Sequence, residues 1–263
     1  MTWLASLPVG VLVACSLVFA FAIVVVSRFT VRAFVPTDER DHVHAIAAPL
    51  MPALGAVFAV LMAVTLGSEA GYLRSAQDIV SDEAAQASRL AWTATSPGID
   101  TAPIHDALTD YLRATRTHEW HEAGKSERAD PATARAIARL ERVVRAEAAR
   151  PALGTPTSTE LLASLDALTT ARRERLAAAS RELPALYVIT LVASGVALIV
   201  NAGALTCRSG ARTSLLVVGL AVVVALSLAL LFALSAPWDG PLVVSGRPID
   251  TVVQDLRIGF FRA

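Results

Sequence analysis

AIAAPLMPALGAVFAVLMAVTL, residues Ala45–Leu66, holds no Asp, Glu, Lys or Arg. At 1.5 Å per residue, a helix of this length crosses a hydrocarbon layer about 30 Å thick. Working outward, three more stretches share the property: Leu7–Val26, Leu183–Thr206 and Thr213–Ala236. One central Arg or Asp would cost roughly 2.5–3.5 kcal/mol to insert, so four charge-free windows are not accidental. They predict four transmembrane helices. The first has no Lys or Arg before Pro8 and no small-x-small cleavage pattern, so it reads as a membrane helix rather than a signal peptide.

The charges, 23 basic and 23 acidic, concentrate between the second and third windows. There Tyr72, Ala76, Ile79, Glu83, Ala87 and Leu90 recur at intervals of three and four. This stripe predicts that the second span runs on as an amphipathic helix to about Thr95, where Ser96-Pro97-Gly98 ends it. Thr101 with Pro103 starts a second helix, carrying Ile104, Leu108, Leu112 and Thr115 as far as Glu122. Asp130-Pro131 starts a third, with Ile137, Leu140 and Val144 on one face, and Arg150-Pro151 stops it. Thr157 and Glu160 have capping-box spacing. The helix after them carries Leu161, Leu165, Leu168, Leu176 and Leu183, interrupted by Arg172, and meets the third span at Pro184, a kink or break. In the tail, Leu242–Ser245 is the only strand-like run. Val252, Val253, Leu256 and Phe260 make an amphipathic face for the membrane surface or for the domain.

The expected fold is therefore all-α: four transmembrane helices in two pairs with an extramembrane helical domain between them, spans two and three continuing into it. The expected division is a first membrane pair over residues 1–66, the helical domain over 67–182, a second pair over 183–236 and the tail over 237–263.

Few residues suggest chemistry. His118, His121 and Glu122 fall on one helical face at a spacing that zinc can use, but H-E-x-H is one residue short of the zincin signature. A polar helix end with Trp120 tucked inward is the plainer reading, so neither a metal nor a cofactor is expected. The arginines at 135, 139, 142 and 145, and at 172, 173 and 175, read as solvated faces paired with acids, with anionic headgroups or anions as the other reading. Acidic and basic residues interleave, which gives no nucleic-acid footprint. Cys15 and Cys207 form no disulfide or metal framework. Asn201, inside the third span, is expected to hydrogen-bond another helix. No catalytic triad or phosphate loop is present, and an enzyme is not expected.

Several short motifs, in order, resemble the bacterial family of bestrophin-like membrane proteins. They are Gly55-Ala56-Val57-Phe58-Ala59-Val60, then Asp82-Glu83-Ala84, Tyr111, Glu119-Trp120, Arg172–Leu176, Leu183-Pro184 and the tail Gly240–Asp250. Bestrophins are oligomeric anion channels whose second helix lines a hydrophobic neck. The resemblance thus implies a homo-oligomer in the cell membrane, surrounded by lipid and conducting an inorganic anion, with Leu54, Phe58 and Met62 as pore-facing residues. Packing of that stripe inside its own subunit is the competing reading. This chain lacks the acidic run of the animal proteins' calcium clasp. The alternative function is a non-conducting membrane scaffold or sensor whose helical domain binds a partner protein.

Overall fold

A computed structural model describes residues 9–34, 36, 40–120, 130–181, 184–206, 211–235, 237–238 and 242–261. Eight α-helices are assigned among them: α1 (Val9–Phe34), α2 (Arg40–Thr93), α3 (Thr101–Ala114), α4 (Pro131–Ala148), α5 (Thr155–Ala179), α6 (Ala185–Leu205), α7 (Ala211–Leu234) and α8 (Arg247–Ile258). A single π-helical turn, Thr115–Glu119, follows α3. The described residues contain no strand, and the fold is all-α. Four helices have stretches long and apolar enough to cross a membrane: Val9–Val31, His44–Thr93, Ala185–Leu205 and Leu215–Leu234.

The chain divides into two compact units. An apolar unit takes residues 1–71, 182–236 and 240–242, and a polar unit takes 72–181, 237–239 and 243–263. The tail thus groups with the polar helices. α2 is one uninterrupted helix of 54 residues that contributes to both units. The approach to the third span differs: α5 ends at Ala179, and Pro184 caps the start of α6.

α2 begins at Arg40, so Pro49 and Pro52 stand well inside the helix. A proline there withdraws a backbone donor and frees a carbonyl one turn back. Those carbonyls are Ala45 for Pro49 and Ala48 for Pro52; Asn201 of α6 donates from Nδ2 to the neighbouring Ala47 carbonyl at 3.0 Å. The interhelical bond expected of Asn201 is present.

In the apolar unit α1 packs on α6 and α7. Ala20, Val24, Phe58, Met62, Leu198, Val224 and Leu231 share one core. Two glycines of α6 allow close approach. A Cβ on Gly203 would stand 2.5 Å from Ser27 Oγ, and that hydroxyl donates to the Val200 carbonyl at 3.2 Å. A Cβ on Gly195 would lie 3.2 Å from the Phe58 ring.

In the polar unit the second part of α2, with α3, α4, α5 and α8, encloses a core built from Val80, Leu90, Leu108, Leu140, Leu165 and Val252. Asp130 caps α4 as its sequence predicts, accepting from the Ala132 amide at 2.7 Å. The Thr157–Glu160 capping box does not form, because α5 starts earlier, with Gly154 as cap and Pro156 in the first turn. Thr101 lies inside α3, whose cap is Asp100.

The tail's extended segment pairs with a side chain rather than a strand. Gln77 Oε1 accepts from the Ser245 amide at 2.9 Å, and Gln77 Nε2 donates to the Ser245 carbonyl at 3.4 Å. α8 then lays Ile249, Val252 and Leu256 into the core. Arg116 grips Asp250 with two bonds of 2.8 and 3.1 Å. Of the two placements open to the tail, docking on the helical domain is the one observed.

Candidate functional site

Ala76, Val80, Ala84, Ala87 and Leu90 form the buried stripe of α2, and Glu83 falls on that stripe with no exposure. On α5 the buried row reads Leu161, Leu165, Leu168, Arg172, Arg175: two arginines continue a leucine stripe at the same three-four spacing. A carboxylate and two guanidinium groups are therefore carried into the interior by helical periodicity alone. Burial of these charges without partners would be prohibitive, so each must be paired.

The network spans four elements and leaves one buried donor, Arg172 Nε, without a partner. Arg175 Nε donates to Glu83 Oε2 at 2.5 Å, and Arg175 Nη2 donates to Glu119 Oε2 at 2.6 Å. Arg172 Nη2 donates to the other oxygen, Glu119 Oε1, at 2.6 Å. The Tyr111 hydroxyl of α3 donates to Glu83 Oε1. Two carboxylates and two guanidinium groups leave no net charge.

The π turn is what delivers Glu119. A π turn accommodates one extra residue in a helical turn, so the side chains after it are rotated from their α-helical directions. Thr115 and Glu119 face inward and His118 is exposed. Trp120 follows, buried, with its ring edge-to-face on Trp238 at 6.0 Å and the Arg116 guanidinium 4.8 Å from its centre.

Burial first, and then the neighbouring Glu83 carboxylate, hold the Tyr111 phenol well above its ordinary value of 10.0. A group whose folded-state pKa is raised contributes stability below its unfolded pKa and loses it as pH climbs through the folded value. The polar unit is therefore expected to lose stability at alkaline pH, beginning as pH passes about 10, the unfolded phenol's value. Thermal melts from pH 7 to 11 check this. Tyr111→Phe should flatten that alkaline slope while costing about 1–3 kcal/mol at neutral pH, because Glu83 loses a buried donor. A slope unchanged in Tyr111→Phe would show that other groups cause it.

Both carboxylates are engaged by guanidinium groups, and the Tyr111 hydroxyl is engaged by Glu83, so the arrangement ties four elements together. Of the family-motif residues singled out by sequence, Glu83, Tyr111, Glu119 and Trp120 lie in this region. Pro184 is elsewhere, at the start of α6 in the apolar unit. Sequence reasoning treated the 172–175 arginines as a solvated face. The structure corrects that: Arg172 and Arg175 are buried, and their place on the α5 leucine stripe was the available signal.

Of the weak metal candidates, exposed His118 lies outside the network, and His121 and Glu122 fall outside the described residues. Among the described residues no group of three or more His, Cys, Asp or Glu is placed to hold a metal. Phe58 and Met62 are buried in the apolar core, and Leu54 is half-buried against it.

The sequence profile of the Bestrophin-like domain matches residues 18–249. The chain belongs to that family. A bestrophin homologue from Klebsiella pneumoniae, solved as a point variant, superimposes with a TM-score of 0.66, covering 93% of this chain and 99% of that one at 13% identity. A second solved structure, of a membrane protein, gives a TM-score of 0.67 at 14% identity, covering 93% and 97%. At such identity the likeness is one of fold. No curated protein matches the sequence. Family membership and the four apolar helices point to a bestrophin-like membrane protein.

Proposed function

We propose that the chain forms a homo-oligomeric anion-conducting pore in the cell membrane, with the uncovered face of α2 lining it. The family supports the pore and the anion. The observation that carries the lining is the character of α2 within its apolar stretch, which its own subunit covers least of the four spans. Its uncovered face carries Ile46 and Leu50 at its start and then only smaller residues: Ala53, Ala56, Val57, Val60, Val64 and Gly67. The other spans expose bulky groups suited to lipid, among them Phe19, Phe21 and Phe29 of α1, Leu186 of α6 and Leu215 of α7. Small residues in membrane helices mark contact with other helices, and a narrow apolar lumen can gate ions by dewetting.

On this reading Val57, Val60 and Val64 take the pore-facing role that the family resemblance implied for Leu54, Phe58 and Met62. Purified protein in liposomes should release chloride, and Val60→Asp should change the rate or the anion selectivity while the protein still inserts. A carboxylate facing lipid at mid-span would instead cost about 2.5–3.5 kcal/mol and impair insertion. Absence of wild-type flux, or a monomer in mild detergent, would overturn the pore. A monomer would favour the scaffold.

A further inference from the structure

An open cleft of about 610 Å³ runs along α3 between α4 and α8 in the polar unit. Its volume is in the range of small-molecule sites, about 300–1,000 Å³. Three elements each supply an arginine to it: Arg113 from α3, Arg139 from α4 and Arg257 from α8. Asp110 neutralises one of them, accepting from Arg139 Nη1 at 2.6 Å. Among the described residues, Arg113 and Arg257 have no ion-pair partner.

The threonine hydroxyls and one ring nitrogen of His105 are already engaged. The Thr101 hydroxyl donates to the Ala94 carbonyl at 2.8 Å, and the Thr109 hydroxyl to the His105 carbonyl at 2.8 Å. His105 Nε2 lies 3.0 Å from the Ala91 carbonyl. What remains unused is a surplus of guanidinium donors, the Asp106 carboxylate, Asp110 Oδ1 and His105 Nδ1, with Leu256 as an apolar wall. Guanidinium forks match the two oxygens of a carboxylate or phosphate. The Asp106 charge disfavours a polyanion and accepts from a hydroxyl or amino group.

We propose that this cleft binds a small organic oxyanion, a phosphate or carboxylate on a hydroxyl- or amino-bearing body, gripped by Arg113 and Arg257. The site is independent of the pore reading and stands apart from the buried Glu83–Arg175 network.

The test uses the full chain in detergent with glycerol 3-phosphate at constant ionic strength, chloride being the control. A saturable rise in melting temperature is expected, as for any ligand bound only by the folded state. Arg113→Gln and Arg257→Gln, both exposed, should each weaken binding about tenfold or more, the loss of a charged hydrogen bond. Asp106→Asn should retain or tighten it. Absence of a saturable shift, or affinity unchanged in both glutamine variants, would overturn the proposal. Stabilisation in phosphatidic acid nanodiscs that depends on Arg113, with no response to glycerol 3-phosphate, would also overturn it and assign the cleft to a lipid headgroup.

Discussion

Arg175→Ala is expected to destabilise the polar helical unit by about 3–5 kcal/mol, because it leaves two buried carboxylates without their shared cation. Burial works against the Arg175 charge. The Glu83 carboxylate, supported by Tyr111 and Glu119, outweighs it and raises the guanidinium above its ordinary pKa, so the group stays charged at every accessible pH. Arg175→Lys should not rescue, since one ammonium cannot reproduce a fork that reaches Glu83 from Nε and Glu119 from Nη2. Arg150→Ala is the control. It breaks an exposed pair with Glu147, where a change of about 0–1 kcal/mol is expected. Denaturant unfolding followed by tryptophan fluorescence measures all three. Adding Glu83→Gln to Arg175→Met should recover part of the loss, because one stranded charge is removed. If Arg175→Ala unfolds no more easily than Arg150→Ala, the network contributes nothing that its burial implies.

The second large effect belongs to the apolar unit. Phe58 packs against Gly195 of α6, with Val224 of α7 also reaching that glycine. Phe58→Ala should therefore leave a cavity between three helices and cost about 3–5 kcal/mol. Val57→Ala and Val60→Ala, one and two residues away on the uncovered face, should stay within about 1 kcal/mol of wild type. Thermal unfolding in one detergent compares them. The pairing matters because flux assays alone would confuse a damaged bundle with an altered lumen. If Phe58→Ala were as stable as Val60→Ala while changing conduction, Phe58 rather than Val60 would be the lining residue.

The four apolar helices were legible because charge exclusion from lipid is severe, and hydropathy records it without any knowledge of neighbours. α2 was legible as one long helix because its three-four stripe persists beyond Leu66. Tertiary choices were less so. Phe58 and Val57 are both apolar, and the one that turns inward meets Gly195, on a helix more than a hundred residues away. Arg172 and Arg175 looked like ordinary surface arginines because their partners lie on α2 and the π turn, at distances no local pattern spans. Their positions on a leucine stripe were a clue, and Glu83, placed among Ala76, Ala87 and Leu90, was its counterpart. The Gln77–Ser245 pairing has no sequence signature, since a glutamine that imitates a strand edge resembles any other glutamine.

The π turn at Thr115–Glu119 bears on how this family can change length. A π turn holds one residue more than an α turn, so deleting one residue there restores an ordinary α-helix while Glu119 and Trp120 keep their directions. Straightening the turn without a deletion would instead swing both by about 100°, the angle of one helical residue, away from Arg172, Arg175 and Trp238. A gap of one residue at this turn in an alignment is therefore compatible with the same interior. A relative that keeps the residue but loses the π turn would need another way to neutralise two arginines.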